Sequence, residues 1–190
     1  METTEISISK AKVIKGGAVE ATYIDADGNE ITMKGHNRCH NDLLVALSGL
    51  VPFFADLTEQ KEADKIDWSD LESADNVDLL RKLDVTGVSI GGDASNRFIT
   101  MTGKRTLMTA RVLNLNSPGV EMGSESFEWD HTDEFDVAVQ RFIYEVKEYI
   151  VNRKWQVDQR EFDFDGDDPF SAPQPTDDVP PVESVAEDVA

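Results

Sequence analysis

The sequence predicts an α+β fold, with an antiparallel sheet of five or six strands and two main helices on one face. Three observations predict it. Short alternating segments separated by tight-turn residues open the chain, a second strand-rich block occupies its middle, and a long amphipathic stretch follows at residues 133–155.

The opening segments read ISISKAKVIK, AVEATYI and NEITMK, with Gly16-Gly17 and DADG between them. Gly-Gly and Asp-Gly supply the positive φ angles that tight hairpins require. We therefore expect three short antiparallel strands.

The next stretch, HNDLLVALSGLVPFFADL, has apolar residues at helical spacing. Asn41 or Asp42 can cap this helix, and Pro52 should kink it or start a new turn. Residues 58–76 are polar and acidic, which indicates a long connection, and a short helix is expected near residues 76–82.

The second strand block contains DVTGVSIGG, NRFITMTG and KRTLMTARVLNLN, and it ends at Ser117-Pro118-Gly119. Within it, one set of alternate residues faces one side of a half-buried strand and the next set faces the other. The two sets are Arg97, Ile99 and Met101, and Phe98, Thr100 and Thr102.

The last helix is predicted over DEFDVAVQRFIYEVKEYIVNRKW, capped by Thr132 or Asp130, with Arg153 and Lys154 in its last turn. Its apolar positions step by four and three and form one stripe. Packing of that stripe against the sheet is the first interpretation, and a homodimer through it is the alternative. The stripe residues are Phe135, Val139, Phe142, Val146 and Tyr149.

The charge is uneven: the chain has 38 acidic and 18 basic residues, a net charge of -20. Residues 158–190 hold eleven of the acidic residues and one basic residue, and they are rich in proline. This composition predicts a globular domain at residues 1–157 and a disordered acidic tail at 158–190. Such a balance argues against a protein that coats nucleic acid with its whole surface, and it leaves room for a local basic patch.

A single cysteine, Cys39, excludes an intramolecular disulfide framework and fits a reducing compartment. The chain has no secretory signal pattern and no apolar run of about 20 residues. We expect a cytoplasmic protein with no membrane partner.

Two short motifs resemble chemical sites. Residues 87–91 match G-x-S-x-G, but the residues after them indicate loop and strand, whereas a nucleophile elbow needs a helix. His36, Cys39 and His40 are spaced like metal ligands, but they precede a helix and lack a fourth ligand. We expect no enzyme, metal or cofactor.

Residues 85–123 form a locally basic region in this acidic chain. An aromatic side chain that is flanked by Lys or Arg on a sheet can stack against unpaired nucleotides. This predicts a nucleic-acid-binding surface, with Phe98 in the core and solvated edge charges as the structural alternative. The predicted surface contains Arg97, Phe98, Lys104, Arg105 and Arg111.

The tail contains FDFDGDDPF at residues 162–170. Asp167, Asp168, Pro169 and Phe170 resemble the acidic tip of bacterial single-stranded DNA-binding proteins, although twenty residues follow and no aliphatic residue precedes the proline. The resemblance implies that the segment binds a replication or repair protein. The predicted partner-binding residues are Phe162, Phe164, Asp167, Asp168, Pro169 and Phe170.

Residues 51–58 and 87–92 also resemble segments of small bacteriophage and prophage proteins with no established activity. Together these features predict a phage-type accessory protein of DNA metabolism, and the resemblance implies the cytoplasm of a bacterial host cell as its location. It would bind single-stranded DNA through the basic strands and carry a tail that recruits a partner or competes with DNA. The alternatives are a protein-interaction or virion-associated module without nucleic-acid binding, and a DNA mimic.

Overall fold

The computed structural model of the chain describes residues 6–92, 97–122 and 129–156. They form an α+β fold with an antiparallel sheet, as the sequence predicts. The predicted tail at residues 158–190 lies outside the described residues.

In the described part of the chain, seven strands make up the sheet, one or two more than predicted. The strand order is β3-β2-β1-β4-β5-β6, and β7 pairs with β5 beside β6. The strands are β1 Ser7–Val13, β2 Val19–Ile24, β3 Glu30–Lys34, β4 Leu83–Gly92, β5 Arg97–Thr106, β6 Val112–Asn116 and β7 Val120–Met122.

The three opening strands are confirmed, whereas the second block divides differently from the prediction. β5 continues to Thr106, and the chain turns where the Leu107 N–H donates to the Arg111 carbonyl. Ala110 adopts φ 60° in this turn, a conformation that glycine usually supplies. The predicted third strand was therefore too long at its start, and β7 was not predicted.

The helices are α1 Asn41–Ser48, α2 Val51–Leu57, α3 Ala74–Leu80 and α4 Thr132–Val151, with a 3-10 turn at Ala63–Lys65. Pro52 lies in the first turn of α2, so it starts a new helix as expected. The cap of α1 is His40, not Asn41 or Asp42. Its backbone is extended and its Nδ1 accepts from the Asp42 N–H at 3.3 Å.

The stripe of α4 packs against the sheet and α1, and every one of its five residues is buried. The helix ends at Val151, so Arg153 and Lys154 lie beyond its last turn. Lys154 instead bridges the carboxylates of Asp42 and Glu145 and fastens α1 to α4.

The sheet thus has two different faces. Buried strand residues such as Val88, Ile99 and Met101 lie on the helix-covered face, where they join the helical residues in one core. Their neighbours along each strand lie on the opposite face, which we call the open face. Among the described residues, no helix is both long and apolar enough to cross a membrane.

Candidate functional site

The five predicted nucleic-acid-binding residues do not form one surface. Strand alternation places Arg97 and Arg105 on the helix-covered face, with Ile99 and Met101 between them. Phe98 and Lys104 lie on the open face. Arg111 is exposed in the turn between β5 and β6.

Both arginines on the helix-covered face are engaged by carboxylates. Arg97 contacts Asp136 of α4 at 2.8 Å. Arg105 donates to both oxygens of Glu62 at 2.7 and 2.8 Å and to the Gln60 side chain at 2.8 Å. These hydrogen bonds from Arg105 hold the pKa of the Glu62 carboxyl below its usual value. Two cations of the predicted nucleic-acid-binding surface are therefore ion-paired within the fold.

Phe98 remains half exposed on the open face, so it is not a core residue. Its ring packs over Gly119, where an added Cβ would overlap the ring. Lys104 lies 3.5 Å from the Asp84 carboxylate, its cross-strand neighbour. These two residues are the part of the predicted surface that the structure brings to one face.

The open face also carries three lysines that the prediction missed: Lys10, Lys12 and Lys34 surround Glu20 on neighbouring strands. Lys12 contacts Glu20 at 2.8 Å and Lys34 is its cross-strand neighbour. The hydrogen bond from Lys12, aided by the charges of Lys12, Lys34 and Lys10, lowers the pKa of Glu20. These lysines belong to the opening hairpins, where strand alternation alone could have placed them together.

A larger feature lies at the end of the sheet where α1, α2 and α3 meet β1, β4 and β5. It is an open groove with a cavity volume of about 710 Å³, which we call the helix–sheet groove. Such a volume is typical of sites that hold a ligand or peptide side chains. Its apolar lining residues are Val13, Ile14, Leu44, Leu47, Val51, Pro52, Leu71, Val77, Leu80, Leu83 and Val85.

Basic side chains dominate the charged lining of this groove. Lys15, Arg81 and Lys104 line it together with one carboxylate, that of Asp84. Arg81, which is ion-paired with Asp78 at 2.9 Å, also lines a cleft of about 280 Å³. Its other charged lining residues are Lys61, Lys65, Lys82, Glu62 and Asp78. Four basic and two acidic residues thus line the cleft beside the groove.

Hydrogen bonds fix the α3 wall of the groove. The buried Asn76 side chain donates to the carbonyls of Asp67 and Asp70 at 2.8 and 2.9 Å, and its Oδ1 accepts from the Asp67 N–H. Ser73 caps α3 by accepting from the Asn76 N–H. A wall held in this way leaves Val77, 63% exposed, facing the groove.

The motifs that resembled chemical sites have structural roles. Residues 87–91 lie within β4, so Ser89 is not at a strand-to-helix turn. Cys39 is buried in the core, and burial raises the pKa of its thiol. Among the described residues, no group of three His, Cys, Asp or Glu side chains could hold a metal ion.

The predicted partner-binding residues 162–170 lie outside the described residues. Comparison with known proteins finds no matching family model, and no curated protein or solved structure is significantly similar to the chain.

Proposed function

We propose that this chain is a non-enzymatic protein-interaction module whose helix–sheet groove binds an acidic segment with apolar side chains on a partner protein. One observation carries the proposal. The groove combines an apolar floor with three basic and one acidic lining residue, in a chain of net charge -20.

Apolar side chains of the partner would move out of water and pack on the apolar floor of the groove. Full burial of one such side chain contributes about 1.5–3 kcal/mol to binding. Carboxylates beside them would meet Lys15 and Lys104 through charge-assisted hydrogen bonds. The acidic remainder of the chain repels such a segment, which confines its binding to this region.

The test uses a fluorescent peptide of alternating aspartates, phenylalanines and leucines, and a counterpart with asparagine in place of aspartate. Val77→Asp puts a carboxylate on the groove wall. Val137→Asp is the matched control, because Val137 is a 70% exposed valine of α4 that does not line the groove. We expect Val77→Asp to weaken binding of the acidic peptide at least about tenfold and Val137→Asp to leave it unchanged.

If Val77→Asp and Val137→Asp bound the acidic peptide equally well, the groove would not be its binding site. Equal binding of the two peptides would show that the peptide carboxylates do not contribute to binding. No binding of either peptide at low salt would overturn the proposal. Both variants must first show wild-type circular dichroism.

We also propose that residues 162–170 are a partner-binding segment of the same module. Carboxylates interspersed with phenylalanines suit an apolar pocket with a basic rim on the partner protein. Replacement of Phe162, Phe164 and Phe170 by alanine in the full chain should abolish recovery of a replication or repair partner from phage-infected cells. Replacement of Asp167 and Asp168 by asparagine should weaken it. Unchanged recovery by both variants would contradict this role.

A second candidate function, binding of single-stranded nucleic acid, is favoured by the exposed ring of Phe98 on the same face as Lys10, Lys12, Lys34 and Lys104. Acidic residues on that face offset these charges, so we expect weak, salt-sensitive binding of a fluorescent oligonucleotide. Lys10→Glu with Lys12→Glu should abolish it. A chain ending at Val157 should bind more tightly if the tail competes with DNA.

A further inference from the structure

The two edges of the described sheet differ in how they are protected. Edge strand β3 has Glu30 and Lys34 at its ends, whereas β6, VLNLN, has no charged residue. Charged residues on an edge strand discourage pairing with another strand. β6 lacks this protection, and it also has two apolar side chains, Val112 and Leu113, that are about half exposed.

The hydrogen bonds on either side of β6 define which of its backbone groups are free to pair. The Leu107 N–H donates to the Arg111 carbonyl, and the Ser117 N–H donates to the Met101 carbonyl. Because an antiparallel ladder alternates, Leu113 and Leu115 between them direct their backbone groups to β5. Val112, Asn114 and Asn116 therefore direct theirs away from the sheet.

The charge of the surrounding hairpin favours contact between copies at this place. A net charge of -20 makes two copies repel each other over most of their surfaces. From Arg97 to Val120, however, the chain contains no acidic residue. The β5–β6 hairpin itself therefore adds no carboxylate to a contact between two copies. Its cations Lys104 and Arg105 are offset by Asp84 and Glu62, and the exposed Arg111 lies in the turn outside β6.

We propose that two copies of this chain associate by antiparallel pairing of β6 with β6, with Asn114 opposite Asn114 of the second copy. The outward backbone N–H and C=O groups of Val112, Asn114 and Asn116 then pair with the same groups of the second copy. This pairing forms about six backbone hydrogen bonds. On the helix-covered side, Leu113 lies opposite Leu115 of the second copy, and this contact covers Leu113. The two sheets become one continuous sheet, and the pairing does not depend on the groove.

Proline substitution on the two edges tests the proposal in the full chain. Asn114→Pro removes an outward N–H from the centre of β6 while sparing the ladder to β5. Thr32→Pro is the matched control at the centre of β3. Its N–H also points outward, because the Asp25 and Gly35 N–H groups bond to Asn29 and Val19 across that ladder.

Sedimentation velocity up to about 200 µM is the measurement, since an interface this small gives weak association. We expect a concentration-dependent dimer for wild type and Thr32→Pro, and a monomer for Asn114→Pro. If Asn114→Pro does not fold, Asn114→Lys decides, because it sets two like charges together at the two-fold axis. A monomeric wild type, an unaffected Asn114 variant, or a dimer lost only in Thr32→Pro would overturn the proposal.

Discussion

The guanidinium of Arg105 and the carboxylate of Glu62 form a bidentate ion pair, with side chains only 14% and 13% exposed. The pair joins β5 to the segment after α2, on the helix-covered face. A residue predicted from the sequence to bind nucleic acid therefore holds a loop against the sheet.

Loss of the Glu62 charge should lower stability in a pH-dependent way. Glu62→Gln should cost about 1–3 kcal/mol at pH 7, because Arg105 loses a charged acceptor in a partly buried site. The lowered pKa of Glu62 means that its contribution is present above about pH 4.3, the ordinary Glu value, and is lost as the pH falls through the folded-state pKa. Urea unfolding of both proteins should therefore give a difference that shrinks in acid.

Asp78→Asn is the control for this change. Asp78 and Arg81 form an ion pair of similar length, but both side chains are well exposed. Exposed pairs contribute little, so we expect a change below about 0.5 kcal/mol. A Glu62→Gln effect no larger than this would contradict the structural role of the pair.

Strand alternation in the sequence already predicts on which face of β5 the two arginines lie. Arg97 and Arg105 have the same parity along β5 as Ile99 and Met101, so the pattern that predicted a buried face also placed both arginines on it. Their partners could not be predicted, since Glu62 and Asp136 are about forty residues away in sequence. The groove was missed for the same reason: Lys15, Arg81 and Lys104 come from three distant segments, and Arg81 follows one that reads as acidic.

Most of the fold was predictable because hairpin glycines, strand alternation and the α4 stripe are local signals. The exceptions involve local strain or unusual side chains. Ala110 occupies a glycine-type position, which obscured the turn before β6. His40 is an uncommon helix cap, which obscured the start of α1.

Ala110→Gly should stabilise the protein. Ala110 has φ 60° in the β5–β6 turn, where an alanine side chain is strained and glycine is not. We expect a gain of about 0.5–1 kcal/mol in the free energy of unfolding in urea. Ala26→Gly is the control, because Ala26 is an exposed turn residue without a positive φ, and it should give no gain. Destabilisation by Ala110→Gly would contradict the assigned turn conformation.

Gly35 and Tyr149 should show energetic coupling. The Tyr149 hydroxyl donates to the Asn37 carbonyl at 2.6 Å and lies where a Cβ of residue 35 would be. Tyr149→Phe should cost about 1–2 kcal/mol for the lost hydrogen bond, and Gly35→Ala should cost more. Because phenylalanine lacks the hydroxyl, the double variant should be more stable than the sum of the single changes predicts, by at least about 0.5 kcal/mol. Additive effects in thermal unfolding would show that the close approach is absent.

Lys154 should stabilise the protein through the two carboxylates that it bridges. Its Nζ lies 2.6 Å from Asp42 and 2.8 Å from the largely buried Glu145. Lys154→Met should cost about 1–3 kcal/mol, because it leaves the Glu145 carboxylate without its cation. Adding Glu145→Gln should recover part of the loss. Lys147→Met, which changes a lysine within α4, should cost less than Lys154→Met.

The pH dependence of this contribution has the opposite sign from that of Glu62. Hydrogen bonds to Asp42 and Glu145 raise the pKa of Lys154, so its contribution is complete below about pH 10.4, the ordinary Lys value, and is lost as the pH rises through the folded-state pKa. The stability difference between wild type and Lys154→Met should therefore shrink in strong alkali and stay constant from pH 7 to 9. A difference that already shrinks between pH 7 and 9 would mean that Lys154 does not hold its proton through these two carboxylates.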